Sequence, residues 1–544
     1  MSADVFDYIV VGAGSAGSVI AGELAADPEV RVLLLEHGDH SDRNPETLAA
    51  AGYKHAFVND RVMWERFSEP QRECHDHRLF MGSGRGTGGS GSVNAMVYTR
   101  GSKHDFAEWD VDGWRWDDVQ STFERLEATL RISQRPPTQF TETCIAAAEE
   151  AGFRFSPNLN DGQLSGRLGY NWMNMDGADR RSAYVSFVRP REGQPNLRLL
   201  TNATVHRVRF DANRRATGVE YEQAGQHLTA VARREVILSA GALETPKLLM
   251  LSGVGPGDEL RRHGIPVVHE LAAVGRNLMD HPNVQVFFGS RERNDCNWAQ
   301  LYGFHRANPD TPLPEGEADT CYVFYAARSS FREGMIRLLP GIVLPPSLYR
   351  LGWPTSTIRG AIKGLFGVPG VKRAVEHVYG IVVILGKPLS RGSVRLHSAE
   401  PTMQAMIDPN YFADSRDLDT LVKGVGLARR VAKASALQRY GNFELMPGAW
   451  INSDAGLRKF IRQNVMTTYH FSGTCKMGTG SDAVTTPDLR LRGVSGLRIV
   501  DASVVPSVPV SAMNAPSMLV GMRGADLVRE TWRQRRDQPG QATV

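Results

Sequence analysis

The run Asp7-Tyr-Ile-Val-Val-Gly12-Ala-Gly14-Ser-Ala-Gly17 and the run Arg31-Val-Leu-Leu-Leu-Glu36 decide how this chain is read. Asp7 to Val11 is short, apolar and β-branched, as a buried parallel strand requires. Ser15 to Ala26 reads as a helix with Val19, Ile20 and Leu24 on one side, and Arg31 to Glu36 as a second buried strand. The loop between them has the Gly-x-Gly-x-x-Gly form. Its first glycine permits a tight turn, its second lets backbone approach a pyrophosphate, and its third lets helix and strand pack closely. The helix N-terminus then offers free N–H groups and partial positive charge to phosphates. Glu36 ends the second strand about 20 residues beyond the last glycine, where a carboxylate can accept from ribose hydroxyls. A dinucleotide is therefore predicted here. The motif leaves FAD and NAD both open, and the acid argues against NADP.

Outward from this unit, residues 38–80 read as irregular and residues 115–152 as helical. Strands return at Leu197–Leu200, Thr204–Val208, Gly218–Tyr221 and Glu235–Ser239, and their alternation predicts antiparallel hairpins leading back into a buried strand. Tyr379–Leu385 and Gly392–Leu396 read as strands of a second sheet, Leu497–Asp501 as a further buried strand, and Met518–Trp532 as a closing helix. Glycine supplies 54 of 544 residues without a Gly-X-Y period, which excludes collagen. Lys and Arg number 63 against 59 Asp and Glu, a net charge of +4 that is well mixed, so no nucleic-acid partner is expected. The basic cluster Arg529 to Arg536 reads as the solvated end of a terminal helix. Five scattered cysteines (Cys74, Cys144, Cys296, Cys321 and Cys475) argue against a disulfide framework and for a reducing compartment. No signal-peptide pattern precedes the first strand, and no run of about 18 apolar residues occurs. A cytoplasmic location is expected, with or without association to a membrane surface. The segment 328–377 mixes Pro, Gly, apolar residues and regularly spaced Arg and Lys. It reads either as a lid over the active site or as a basic amphipathic surface making peripheral contact with membrane or an apolar partner.

Further blocks carry a resemblance. Gly84-Arg-Gly-Thr-Gly-Gly-Ser-Gly-Ser-Val-Asn-Ala-Met-Val-Tyr-Thr-Arg-Gly101 closely resembles the first signature of the glucose–methanol–choline oxidoreductases, and Gly241 to Gly255 the second. Tyr469 to Gly478, Val500 to Pro506 and Asn514 to Pro516 are similar to the C-terminal blocks of that family. The resemblance implies an α/β chain of mixed α+β character: a Rossmann-like FAD-binding domain with an inserted substrate-binding domain built on an antiparallel sheet. The boundaries expected are 1–155, 190–285 and 485–537 for the discontinuous FAD domain, 156–189 and 286–484 for the substrate domain, and 538–544 as a disordered tail. Beside Gly12, Gly14, Ser15, Ala16, Gly17 and Glu36, the resemblance assigns Ser90, Asn94 and Val97 to the flavin and pyrophosphate, and groups Trp64, Arg85, Gly89 and Ala95 with the cofactor. It gives Val205 to the adenine, Asp501 and Ala502 to the phosphate and ribitol side, and Asn514, Ala515 and Pro516 to the flavin pyrimidine. Thr87 departs from the family's apolar preference. Val93 stands where some members carry a flavin-linked His, so FAD is expected to be held non-covalently. Residues 286–480, where specificity resides, match only in outline.

The activity implied is oxidation of an alcohol to an aldehyde or ketone by hydride transfer to flavin N5, with O2 or a quinone or other carrier as the final acceptor. An alcohol donates hydride poorly until its hydroxyl proton starts to leave, so a base is needed. A neutral His suits this task. His470 resembles the family's base and Asn514 the second member of its His–Asn pair. The alternative on the same fold is a flavin-containing lyase or photodecarboxylase. Cys74-His75-Asp76-His77 carries zinc-type ligands, but neighbours on a short loop rarely converge on one ion, so no metal is expected and the loop reads as lining the flavin or substrate entrance. Cys475 reads as a buried small residue, and Ser239 and Ser472 lack a Gly-x-Ser-x-Gly setting.

Overall fold

A computed structural model of the protein describes residues 4–537, so the tail expected at 538–544 lies outside the described residues. Among the described residues no helix is long and apolar enough to cross a membrane. The first strand, β1 (Asp4–Val11), is buried along most of its length and is followed by helix α1 (Ser15–Leu24) and strand β2 (Val32–Leu35). After residue 190 come β3 (Leu197–Leu200), β4 (Ala203–Phe210), β5 (Ala216–Gln223) and β6 (Gln226–Leu238). They form a seven-stranded sheet in the order β3-β2-β1-β6-β5-β4, with Leu497–Ile499 added beside β6. β2 and β6 flank β1 in parallel, with Val11 opposite both Leu35 and Leu238. The hairpins expected for 204–239 are present, since β4, β5 and β6 pair antiparallel. Leu197–Leu200 differs from that expectation. It pairs parallel with β2, Leu197 opposite Val32, because a four-residue apolar run carries no mark of strand direction.

The length of β6 explains how this sheet is assembled. Its first half closes the hairpin with β5, and its second half enters the parallel core between β1 and the strand near the C-terminus. The final helix, Asn514–Asp537, packs along α1, where Gly521 permits close approach: a Cβ there would fall 2.5 Å from the Ala16 carbonyl oxygen. Helix α1 and this final helix thus pack side by side in the core that contains the sheet.

The second sheet has eight strands and is antiparallel at its centre. Its central strands β7 (Pro282–Gly289), β8 (Leu301–His305), β9 (Thr320–Ala326) and β10 (Val378–Leu385) run in the spatial order β7-β10-β9-β8. The helix Ser415–Ala432 crosses one face, and Gly424 allows it to sit close to Val383. The helix Gln139–Glu150, which the sequence groups with the first domain, sends Phe140, Cys144, Ala147 and Ala148 into this second core. Between β9 and β10 the chain forms four helices: α2 (Phe331–Val343), α3 (Pro346–Tyr349), α4 (Trp353–Leu365) and α5 (Pro369–Val375). All five cysteines are buried and free.

Candidate active site

The glycine loop has the geometry its sequence predicts. Gly12 has φ +101°, and a Cβ there would fall 2.5 Å from the Ser239 carbonyl oxygen. A Cβ at Gly17 would fall 1.9 Å from the Gly12 carbonyl oxygen, so helix and turn leave no room for a side chain. Gly14 is different: a Cβ there would meet nothing within 4 Å. That open ground lies at the start of α1, whose N-cap Gly14 makes no side-chain capping bond. Close packing at two glycines and open space at the third is what a pyrophosphate seat needs.

The Gly84–Gly101 stretch closes on this turn. The Gly88 N–H donates to the Ala13 carbonyl at 2.7 Å, and a Cβ at Gly89 would fall 2.8 Å from the Gly14 Cα. Glu36 joins the two loops. One carboxylate oxygen accepts from the N–H of Ala13 and the other from those of Gly38 and Gly86. Burial pushes its pKa up, while the three N–H donors pull it down. Trp64 lies beside it, stacked on His37 with 4.4 Å between ring centroids and carrying the Arg66 and Arg85 guanidinium groups on its ring. His37 also bonds Thr204 at 2.9 Å, next to Val205. Burial, aided by Arg85, holds His37 down at about 4. Trp64, Arg85 and Val205 are therefore gathered at the Glu36 end of the cradle.

At the other end, the Asn94 side-chain oxygen accepts from the Met96 N–H and from Arg180. Arg180 was not singled out in the sequence. It is fully buried, donates to the carbonyls of Gly91 and Asn94 as well, and has no carboxylate partner among the described residues. Burial alone lowers it to about 9. It clamps the loop that carries Ser90, Asn94 and Ala95. The Ser90 hydroxyl accepts from the Gly84 N–H, and Val97 pairs with Met173. Asp501 is buried and saturated by the Gly241 N–H, the Thr245 hydroxyl and the Ser503 N–H, so it fixes the second signature loop to the strand at Leu497–Ile499. The Ala502 carbonyl accepts from the Gly473 N–H, which brings the His470 loop to the same place.

Asn514 opens the last helix, with Ala515 and Pro516 buried in its first turn. Its side-chain oxygen accepts from the Ser15 hydroxyl at 2.8 Å, and its amide faces Asn174 at 3.5 Å. Among the described residues no hydrogen bond joins Asn514 to His470. The partner of His470 is His281, Nδ1 to Nδ1 at 2.8 Å, with the rings perpendicular. His281 is buried, and burial together with His470 pushes its pKa well down. Burial takes His470 down to about 4, although part of its surface stays open. The neighbouring Asp280 accepts from the His470 N–H at 2.8 Å and from the hydroxyls of Thr467 and Tyr411, and burial lifts it to about 6. Tyr469 has φ +62°, a conformation a bulky residue holds only when its surroundings impose it. It packs against Val93, Met63 and Phe80, so His470 stands between the Gly84–Gly101 loop and the end of β7. A carboxylate and a histidine in sequence at the head of a strand, Asp280-His281, were the only signal of this second layer.

The loop Cys74-His75-Asp76-His77 is divided between core and surface. Cys74 is buried in the second core, while His75, Asp76 and His77 are exposed. Among the described residues the grouping with metal-ligand spacing is His206, Glu222 and His227, on β4 to β6. Cys475 is buried, and burial raises its thiol pKa.

A nucleotide cradle on a Rossmann-like sheet, linked through the Val93–Tyr469 packing to a histidine pair at the head of a second sheet, is the arrangement of a dinucleotide-dependent oxidoreductase. Models of the GMC oxidoreductase family match residues 6–283 and 388–521, and the chain belongs to that family. It is 32% identical over 546 residues to the alcohol dehydrogenase [acceptor] of Pseudomonas putida, covering 96% of each chain. It is 34% identical to the mitochondrial choline dehydrogenase of Homo sapiens, over 97% of this chain and 90% of that one. The fold superposes on pyridoxine 4-oxidase from Mesorbium loti with a TM-score of 0.82 at 26% identity, covering 96% of this chain and 99% of the other. The cofactor is FAD, and the open seat at Gly14, the Glu36 carboxylate and the Arg180-clamped loop fit it.

Proposed function

We propose that the protein oxidises an alcohol to the aldehyde or ketone, with His470 as the base that takes the hydroxyl proton. FAD, when bound non-covalently in the cradle, supplies the hydride acceptor, and O2 or a quinone or carrier then takes the electrons. The observation that carries the reading is the Nδ1–Nδ1 contact of His470 and His281. Only one of the two facing nitrogens can bear a proton in a neutral pair. Among the described residues the buried His281 Nε2 has no hydrogen-bond partner, so the direction of the contact is part of the proposal. In this reading His281 accepts at Nδ1 and carries its own proton at Nε2. His470 must then donate from Nδ1, which leaves its Nε2 lone pair free to receive a proton. Both histidines are held neutral at pH 7 by burial, so the base is ready before substrate arrives. Asp280 fixes the His470 backbone, and Asn514 ties the last helix to Ser15 on the cofactor side.

The test is an anaerobic titration of the yellow holoprotein with a panel of alcohols in the dark, following the visible flavin band and then admitting air. Bleaching by one alcohol class supports the reaction, and recovery in air distinguishes an oxidase from a dehydrogenase. Absence of bleaching by any alcohol, with light-driven turnover of a carboxylic acid instead, would place the chain with the photodecarboxylase alternative. His470→Ala should retain flavin and lose about 100-fold or more of the bleaching rate.

A further inference from the structure

The helices α2 to α5 have two unlike faces. The inner face is pinned to the body of the protein by charge. Arg337, fully buried, donates to Asp60 at 2.6 Å, and Arg359 reaches Asp60 and Glu65 at 3.1 and 3.0 Å. The Tyr349 hydroxyl donates to Glu65, and Leu338 packs against the cluster that contains Val93 and borders Tyr469. The outer face is apolar and bare. Ile342, Leu351, Trp353 and Leu365 are each more than half exposed, at 74%, 60%, 68% and 55%. A Cβ at Gly352, Gly360, Gly364 or Gly370 would meet nothing within 4 Å, so no other part of the described chain lies over these turns.

Charge indicates what covers this face. From Gly334 to Val375 the sequence contains no Asp or Glu. Arg350, Lys363, Lys372 and Arg373 are exposed around the apolar residues, whereas Arg332 pairs with Glu333 and the arginines of the inner face with Asp60 and Glu65. Exposed Trp and Leu rimmed by cations, with no anions, match an interface of acyl chains below anionic headgroups. A protein partner or a second copy of this chain would have to bring its own acids to meet that rim. The rest of this chain's surface is of mixed charge and is not a specific complement to it.

We propose that the outer face of α2 to α5 docks peripherally on an anionic lipid bilayer. Docking sets the helices that roof the Val93–Tyr469 cluster against the membrane surface. The experiment is flotation of the holoprotein with phosphatidylcholine vesicles, with and without phosphatidylserine. Wild type should float with the anionic vesicles, much less with neutral ones, and less at high salt. Each basic residue removed should weaken the apparent affinity about fivefold, so Lys363→Gln/Lys372→Gln should lose about 25-fold. Trp353→Ser/Leu365→Ser should lose about tenfold or more. Flavin content and turnover of a water-soluble alcohol should stay unchanged in both variants, which shows that folding is intact. Failure of wild type to float, or flotation of both variants like wild type, overturns the proposal. So does a solution dimer that Trp353→Ser/Leu365→Ser converts to monomer without any vesicle binding by wild type, because the face would then belong to a second copy.

Discussion

Replacing His281 by Phe tests the proton arrangement more sharply than removing His470. Phe keeps the ring volume in a fully buried position but deletes the acceptor 2.8 Å from His470 Nδ1. The His470 Nδ1–H then has two courses. It can stay, stranded without an acceptor, at a cost of about 1–3 kcal/mol for an unsatisfied buried donor. Otherwise the ring can move its proton to Nε2, which removes the lone pair that receives the substrate proton. On either course the reactive tautomer loses about 1–3 kcal/mol relative to wild type. At about 1.4 kcal/mol per decade, the bleaching rate should fall about tenfold to 100-fold. His281→Asn should recover most of that loss, because its side-chain oxygen can accept where Nδ1 did. The assay is the anaerobic flavin-reduction rate at saturating alcohol, with the flavin-to-protein ratio measured alongside. A His281→Phe variant with normal flavin content and a wild-type rate refutes the arrangement. Equal losses in Phe and Asn would leave His281 a packing role only.

The pH dependence has a definite sign. Neutral His470 is the active form and its pKa lies at about 4, so kcat/KM should be flat near neutrality and fall as pH drops through about 4; a break at about 6.5 in the flavin-loaded protein would contradict the burial argument. Stability should follow the same direction. The unfolded chain takes up protons below about 6.5 that buried His37 and His470 refuse until about 4, so thermal stability should decline across that window. Gly14→Ala and Gly17→Ala should separate fold from cofactor. The first has open space around its Cβ and should fold with lowered flavin content, whereas the second, 1.9 Å from the Gly12 oxygen, should lose both folded yield and flavin. Glu36→Ala strands three backbone N–H groups, each costing about 1 kcal/mol or more, so melting temperature and flavin retention should fall together, as differential scanning fluorimetry and flavin release can show.

What the sequence made legible was local. Gly12 to Gly17, with a strand before it and Glu36 beyond it, is a short-range pattern in which each residue type has one physical reason to be there. What stayed hidden depends on contacts across long separations. The partnership of His470 with His281 spans 189 residues and carries no spacing rule. Arg180 could be recognised only once residues 91–94 were seen folded around its guanidinium, since an isolated Arg in a polar stretch reads as surface. The family resemblance marks Asn514 as a site residue, but its bond to Ser15 has no sequence signal, because side-chain direction at a helix start depends on the neighbouring helix. The segment 328–377 showed its composition but not its four helices, since Pro340, Pro346, Pro354 and Pro369 punctuate the apolar periodicity.

The position of Leu497–Ile499 beside β6 bears on how the protein is made. The glycine turn is made before the second sheet, whereas the strand that flanks β6 and the helix that covers α1 are made after it. Between them lies the whole second sheet. A nascent chain therefore holds a nucleotide sheet without its strand beside β6 while the second sheet is being made, an unpaired edge of the kind that invites misassembly. The helix that opens at the cofactor seat is complete only when Asn514–Asp537 has docked on α1.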